Sequence, residues 1–174
     1  MIEQLFAQRG QDGYYGEPVS QLEHALQSAQ LAQEAGADNA VVLAALLHDI
    51  GHLLPSQIAA DHMDDYGRVD HEQLGADFLR KQGFSEKVAQ LIENHVNAKR
   101  YLVSVDKEYA AKLSEASTQT LLMQGGPMNA QDAGTFRQHP YFDDIIQLRR
   151  WDEQAKIPGL PTPTLAYFLD RYHC

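Results

Sequence analysis

The stretch from Ala44 to His52, AALLHDIGH, places the strongest constraint on what this chain can fold into. It begins as an apolar helix, which must pack into a core, and it ends in His48 and Asp49, which are costly to bury without partners. A metal ion would satisfy both groups together. The alternative is that Asp49 ends the helix while His48 is a hydrogen-bonded core histidine, and this stretch alone leaves both readings open.

Length and composition favour one compact domain. The chain has 174 residues, 44% of them hydrophobic, which is enough to bury a core, so we expect residues 1–174 to form a single domain. No apolar run approaches the roughly 18 residues of a membrane span, and residues 1–10 do not resemble a signal peptide. We therefore expect a cytoplasmic monomer with no membrane partner.

Cysteine content and charge narrow the chemistry. Cys174 is the only cysteine, which excludes an internal disulfide and leaves His, Asp and Glu as metal ligands. That ligand set favours iron, manganese, magnesium or zinc. The formal net charge of −10 argues against a nucleic-acid partner, because phosphate backbones require clustered Lys and Arg. A small anionic substrate would need a few basic side chains gathered in a pocket.

Apolar residues recur at helical spacing, and no segment alternates as a strand would, so the predicted fold class is all-α. Ser20 with Glu23 forms a capping box that begins one helix. We expect a loop over residues 11–18, a helix end at Gly51 and an irregular excursion over residues 53–70. Further helices are predicted over residues 2–9, 39–50, 71–82, 106–124, 141–157 and 165–172, and one begins after Ser85.

The candidate metal ligands lie on, or at the ends of, different predicted helices. Six ligands exceed what one metal with an open position needs, so we expect two metals bridged by Asp49, which adjoins His48. The alternatives are that a lone helical histidine belongs to the core and that Arg149 and Asp152 form an exposed ion pair. The candidates are His24, His48, Asp49, His71, His95 and Asp152.

Two other polar features accompany these ligands. Residues 14–17, YYGE, combine aromatic rings and a carboxylate on a flexible backbone, which suits either a mobile segment over a site or an ordinary surface loop. Ser117, Thr120 and Gln124 share one stripe of a predicted helix. Such a stripe is either a solvated face or the wall of an oxyanion-binding pocket.

The order His…His-Asp…His…His…Asp resembles the HD-domain superfamily, and specifically its mixed-valence diiron oxygenases, which include myo-inositol oxygenase and phosphonate dioxygenases. The resemblance extends from about Tyr14 to Asp152. This order is specific for a two-metal HD site but not for a reaction class. The resemblance implies a helical bundle around two Fe ions, as Fe(II)/Fe(III), with O2 as co-substrate.

The resemblance also implies a reaction, which depends on the roles that it gives to Tyr14 and Glu17. The tyrosine would occupy an iron position at rest and leave when substrate enters, while Glu17 would meet an amine. The implied reaction is cleavage of the C–P bond of 2-amino-1-hydroxyethylphosphonate to glycine and phosphate. Cations and neutral hydrogen-bonding groups suit such a tetrahedral dianion. The implied phosphonate contacts are His52, Lys99, Ser117, Thr120, Gln124 and Arg149.

Three alternatives stay open at this point. One is an HD phosphohydrolase, in which two metals activate water against a phosphate ester. Tyr14 favours the oxygenase, because a hydrolase has no need of a displaceable tyrosine. A second is an oxygenase for the N-trimethylated phosphonate. The third is a non-enzymatic sensor, which the complete ligand set disfavours.

Overall fold

Helices form the regular secondary structure of the computed structural model, which describes residues 1–55 and 70–172. Within these residues the one isolated β-bridge joins Gly13 and Ser20, and the predicted all-α fold is confirmed. Most of the predicted excursion over residues 53–70, and Cys174, lie outside the described residues. The helices are α1 (Ile2–Arg9), α2 (Gln21–Glu34), α3 (Asn39–Leu47), α4 (Ile50–Leu53), α5 (His71–Lys81), α6 (Glu86–Val105), α7 (Lys107–Lys112), α8 (Glu115–Met123), α9 (Ala130–Phe136), α10 (Phe142–Gln154) and α11 (Leu165–Arg171).

Helix α3 lies at the centre of the core. Every residue from Val41 to Leu47 is buried, and α3 packs against α2, α6 and α10. Because α3 is apolar all round rather than along one stripe, it is stable only when other helices surround it. The residues that follow it, His48 and Asp49, are therefore delivered into the interior among those helices.

Side-chain caps fix where the helices that carry the site begin. Ser20 Oγ accepts a hydrogen bond from Glu23 N at 3.1 Å, and Glu23 Oε2 accepts one from Ser20 N at 2.8 Å, which forms the predicted capping box of α2. Asp38 caps α3 and Ser85 caps α6 through a single bond each, in which the side chain accepts from the backbone N–H of Val41 and of Val88. Caps of this kind contribute about 1 kcal/mol each.

The helix predicted over residues 39–50 is interrupted before the predicted end at Gly51. Helix α3 ends at Leu47, and Asp49, with φ −102° and ψ 11°, precedes the short α4. Gly51 lies within α4, where a Cβ atom would stand 1.9 Å from the carbonyl oxygen of His71. The glycine is therefore needed for close packing of α4 against the start of α5, which brings His71 beside Asp49.

The prediction of one helix over residues 106–124 is wrong. Leu113 has an extended backbone, with φ −57° and ψ 137°, and Ser114 caps a separate helix, α8. The segment after α8 contains α9, which is not among the predicted helices and whose Phe136 is buried. Helix α9 is too short for its apolar residues to establish a period. Helix α10 ends at Gln154 rather than at residue 157.

Candidate metal centre

The fold brings the six predicted metal ligands together in one cluster. Four helices and the junction between α3 and α4 contribute, so ligands far apart in sequence meet in the interior. Five of the side chains are buried, and Asp49 is partly buried. The ligands are His24 on α2, His48 and Asp49 after α3, His71 at the start of α5, His95 on α6 and Asp152 on α10.

Asp49 lies between two pairs of histidines and turns one carboxylate oxygen toward each pair. Its Oδ2 lies 3.8 Å from His24 Nε2 and 3.5 Å from His48 Nε2. Its Oδ1 lies 3.3 Å from His71 Nε2 and 3.4 Å from His95 Nε2. We call the group around Oδ2 the first subsite and the group around Oδ1 the second subsite. This arrangement has the geometry of a carboxylate that bridges two metal ions.

Within each pair the two Nε2 atoms face one another, 3.0 Å apart for His24 and His48 and 3.1 Å apart for His71 and His95. The Nδ1 atoms of His24, His48 and His95 contact backbone carbonyl oxygens, so each Nδ1 carries a hydrogen and Nε2 is the nitrogen left to bind a metal. Once deprotonated, the facing nitrogens repel one another unless a cation lies between them. Ligands at right angles with bonds of about 2.1 Å lie about 3.0 Å apart, so the donors fit a metal in each subsite.

Negative charge makes the first subsite attractive to a cation. Burial opposes protonation of His48, but the carboxylates of Asp49 and Asp152 raise its pKa to about 9. Burial likewise opposes ionisation of Asp49, yet the pKa of Asp49 lies well below its usual range because of the neighbouring histidines. A proton and a metal ion therefore compete for His48 Nε2, because a histidine nitrogen must be deprotonated before it can bind a metal.

Asp152 adds a fourth predicted ligand to the first subsite. Its Oδ1 lies 3.4 Å from His24 Nε2 and is buried without a hydrogen-bond donor among the described residues, while its Oδ2 accepts from Arg149. Burial opposes ionisation of Asp152, but the Arg149 guanidinium holds its pKa well below the usual range. The two side chains are 1% and 4% exposed, so they are not the exposed ion pair considered as an alternative.

The loop before α2 places Tyr14 over the first subsite. Tyr14 N donates to Val19 O and Glu17 N donates to Tyr14 O, each at 2.8 Å, which closes a turn in which Gly16 has a φ of 74°. The Tyr14 ring stacks on His24 with centroids 3.9 Å apart. Burial first, and then the charge of Asp49, raise the pKa of Tyr14 well above its usual range. Tyr14 therefore lies against the predicted ligands in its neutral form.

One cleft is lined by ligands of both subsites and by the predicted substrate contacts. Lys99 is buried there and donates to Thr120 Oγ1 at 2.7 Å; burial, assisted by Arg149, lowers its pKa to about 7. The Ser117–Thr120–Gln124 stripe faces this cleft rather than solvent. Residues in its lining that were predicted to bind substrate are Glu17, His52, Lys99, Ser117, Thr120, Gln124 and Arg149.

Two of the predicted phosphonate contacts, His52 and Arg149, are not free cations in the structure. His52 stacks on His71 with centroids 3.9 Å apart, and burial, with the neighbouring His71, lowers its pKa well below the usual range, so the ring is neutral. Arg149 donates through Nε to Tyr109 Oη at 2.9 Å, and through its other nitrogens to Asp152 and Glu153. Among the described residues Lys99 makes no ion pair, so its charge is the one most available to an anion.

Three residues of the site were missed in the sequence. Glu153 and Tyr109 hold Arg149, and Lys156 lies in the cleft with its Nζ 2.9 Å from Glu17 Oε1. The i, i+4 spacing of Arg149 and Glu153 is a signal that could have identified that pair. Tyr109 and Lys156 carry no local signal, because the tertiary fold alone brings them to the site.

Comparison of the sequence with known proteins identifies the family of this chain. Residues 22–122 match the HD domain. The chain is 42% identical over 164 residues to hydroxymethylphosphonate dioxygenase of Gimesia maris, covering 93% of this chain and 80% of that protein. It is 40% identical over 164 residues to 1-hydroxy-2-(trimethylamino)ethylphosphonate dioxygenase (glycine-betaine-forming) of Leisingera caerulea, covering 94% and 83%. An uncharacterised protein of Acanthamoeba polyphaga mimivirus is 41% identical over 167 residues, covering 96% and 76%.

The helical architecture and these matches agree with the resemblance that the order of ligands indicated. In the part of the chain that the structure describes, no helix is long and apolar enough to cross a membrane. The match to the HD domain includes His24, His48, Asp49, His71 and His95, and the relatives match nearly the whole chain. This chain therefore belongs to the HD-domain family.

Proposed function

We propose that this protein is a diiron oxygenase that cleaves the carbon–phosphorus bond of a small 1-hydroxyalkylphosphonate, with 2-amino-1-hydroxyethylphosphonate as the expected substrate. One O2 is consumed, and both of its oxygen atoms are retained in the products, glycine and phosphate, so that atoms balance without a further reductant. Two relatives that match 94% and 93% of this chain are phosphonate dioxygenases, which supports the reaction class.

The six ligands would hold two Fe ions, one in each subsite. Iron supplies the oxidising chemistry when it is bound, and the protein supplies binding, orientation and exclusion of water. Asp49 would bind both ions, and Asp152 would bind the ion of the first subsite. Of the predicted ligands, Asp49, His71 and His95 would bind the ion of the second subsite.

The observation that carries the assignment is the position of Tyr14. Its ring stacks on His24, and its hydroxyl is close enough to Asp49 for the carboxylate to raise its pKa. A two-metal hydrolase must present water at the metals. A tyrosine lying over the first subsite obstructs that arrangement but suits a site that opens only when substrate displaces the ring.

The cleft supplies the contacts that a phosphonate needs. Lys99 provides a buried positive charge, and its partner Thr120 a hydroxyl beside it. Gln124 lies in the same lining, where its Nε2 amide group can donate to a phosphonate oxygen. Charge-assisted hydrogen bonds of this kind are the strong ones for a phosphonate dianion. Glu17 lies in the same lining, where it can meet the positively charged end of an amino substrate.

Oxygen consumption measured together with product formation tests this proposal. Iron-loaded, metal-analysed protein should consume O2 and release phosphate and glycine in equal amounts from 2-amino-1-hydroxyethylphosphonate, and release no phosphate under nitrogen. Hydroxymethylphosphonate and the N-trimethylated substrate are measured in parallel. Release of phosphate from phosphate esters under nitrogen would instead establish a phosphohydrolase, and no turnover of any of these compounds would favour a sensor.

A further inference from the structure

Glu17, the residue expected to meet a substrate ammonium group, already has a cation beside it. Lys156 Nζ lies 2.9 Å from Glu17 Oε1, and both side chains line the cleft with only 11% and 10% of their surfaces exposed. Glu17 Oε1 is nevertheless without a hydrogen-bond partner among the described residues. The contact is therefore a charge pair without hydrogen-bond geometry, and the Lys156 ammonium group lies between the carboxylates of Glu17 and Glu153.

The backbone on both sides of Lys156 is tied to α2. Before it, the carbonyl oxygen of Ala155 accepts a hydrogen bond from His24 Nδ1 at 2.8 Å. After it, Ile157 N donates to Gln27 Oε1 at 3.0 Å, and Ile157 O accepts from Gln27 Nε2 at 2.8 Å. Lys156 is thus held at a fixed position next to a predicted metal ligand.

The ammonium group of Lys156 is also held in place. It contacts Glu153 Oε1 at 2.8 Å and Ser117 Oγ at 3.2 Å. Burial opposes its charge, but Glu153 raises the pKa of Lys156 above its ordinary value, so the side chain is charged at neutral pH. A fixed positive charge therefore stands where the positive end of an amino substrate would approach Glu17.

We propose that Lys156 is a specificity-determining residue that limits the preference of this cleft for phosphonates with a cationic group at C2. This inference rests on the proposed function. A substrate ammonium group must share Glu17 with Lys156, and two like charges beside one carboxylate repel. A 1-hydroxyalkylphosphonate without an amine leaves the Glu17–Lys156 pair intact. Removal of the lysine charge is therefore expected to shift selectivity toward amino substrates.

Two ligands of matched size test the proposal. 2-Amino-1-hydroxyethylphosphonate and 1-hydroxypropylphosphonate differ in having an ammonium or a methyl group at the same place. Their dissociation constants are measured by calorimetry on the iron-loaded full chain without O2, so the readout does not depend on turnover. The proteins compared are the wild type, Lys156→Met, Lys156→Arg and Lys112→Met, the last of which removes an exposed lysine on α7.

In Lys156→Met the ratio of the two dissociation constants should move in favour of the amino ligand by about tenfold or more. Lys156→Arg, which keeps the charge, and Lys112→Met should keep the wild-type ratio. An unchanged ratio in Lys156→Met, with the wild type binding both ligands, would overturn the role of Lys156 and leave the proposed function standing. If the iron-loaded wild type bound neither ligand and turned over no phosphonate, the proposed function and this inference would both be overturned.

Discussion

At the scale of single residues, Asp49 is the predicted ligand whose two oxygens face different histidine pairs. Asp49→Ala removes a donor from both subsites and the negative charge that the pairs share. After anaerobic loading, we expect elemental analysis to find a pair of Fe ions per chain in the wild type and a small fraction of that amount in Asp49→Ala. Asp170→Ala, which removes an exposed carboxylate on α11, should bind the wild-type amount. A full pair of ions in Asp49→Ala would remove the bridging assignment.

Lys99 is expected to act on substrate rather than on metal. It is buried in the cleft and bonded to Thr120, and it is not one of the predicted ligands. Lys99→Ala should raise KM for the phosphonate about 10- to 100-fold, the value of one charge-assisted hydrogen bond. Its iron content should match that of the wild type. An unchanged KM in steady-state assays would contradict the proposed anion pocket.

The charge of Lys99 also predicts a dependence on pH. Burial, with a contribution from Arg149, lowers the pKa of Lys99 to about 7, so the side chain is charged below that pH and neutral above it. The kcat/KM for an anionic phosphonate should therefore fall as pH rises through about 7. Lys99→Arg stays charged and should lack this fall. Comparison of the two profiles cancels the titration of the substrate, and identical profiles would contradict the prediction.

Residue types and their order along the chain could predict that the six side chains meet in one cluster, because His48-Asp49 and its four distant partners form a pattern. The same sequence could not show that Arg149 is already engaged. Its partner Tyr109 lies 40 residues away on α7, and only the tertiary fold brings the two side chains together. The Glu17–Lys156 pair was missed for the same reason, because a loop near the start of the chain meets the segment after α10.

At the scale of helices, the sequence was most informative where apolar periodicity is long and caps are strong, as at α2 with its Ser20–Glu23 box. It was least informative where a helix breaks without proline or glycine. Helix α3 ends at Leu47, and Asp49 then has a non-helical backbone that directs its carboxylate toward the histidines. Gly51 serves close packing rather than helix termination. In both places a tertiary contact overrides the local preference.

Gly51 allows a test of how helix packing supports the site. In Gly51→Ala the new Cβ would lie 1.9 Å from His71 O, so the start of α5 must shift. We expect the free energy of unfolding, from denaturant titration, to fall by about 1–3 kcal/mol. Iron binding should weaken as well, because His71 moves. Gly134→Ala in α9, where nothing lies within 4 Å, should be neutral or slightly stabilising. Equal stability of the two variants would show that the close approach is unimportant.

At the scale of the whole molecule, the cleft is less negative than the chain, because three basic side chains balance the carboxylates of Glu17, Asp49 and Asp152 in its lining. The formal net charge is −10, yet Lys99, Arg149 and Lys156 are gathered in one lining. An anionic substrate is therefore attracted by local charge against a general negative field. Two of these cations are paired with carboxylates, so the cleft has alternating charges that suit a ligand carrying both signs, or a phosphonate beside a neutral group.

Metal binding is expected to stabilise the whole fold, because the ligands come from α2, α5, α6 and α10 as well as from the end of α3. A ligand that binds the folded chain alone, present at about a thousand times its dissociation constant, contributes about 4 kcal/mol. For a chain of 174 residues this corresponds to a Tm higher by about 10 °C. Calorimetry of iron-loaded and chelator-treated protein should show that difference, and added Fe(II) should restore it. Asp49→Ala, which is expected to lack the metal pair, should give the same Tm with and without chelator. A wild-type Tm that did not respond to chelation would show that the histidine cluster holds the helices together without metal.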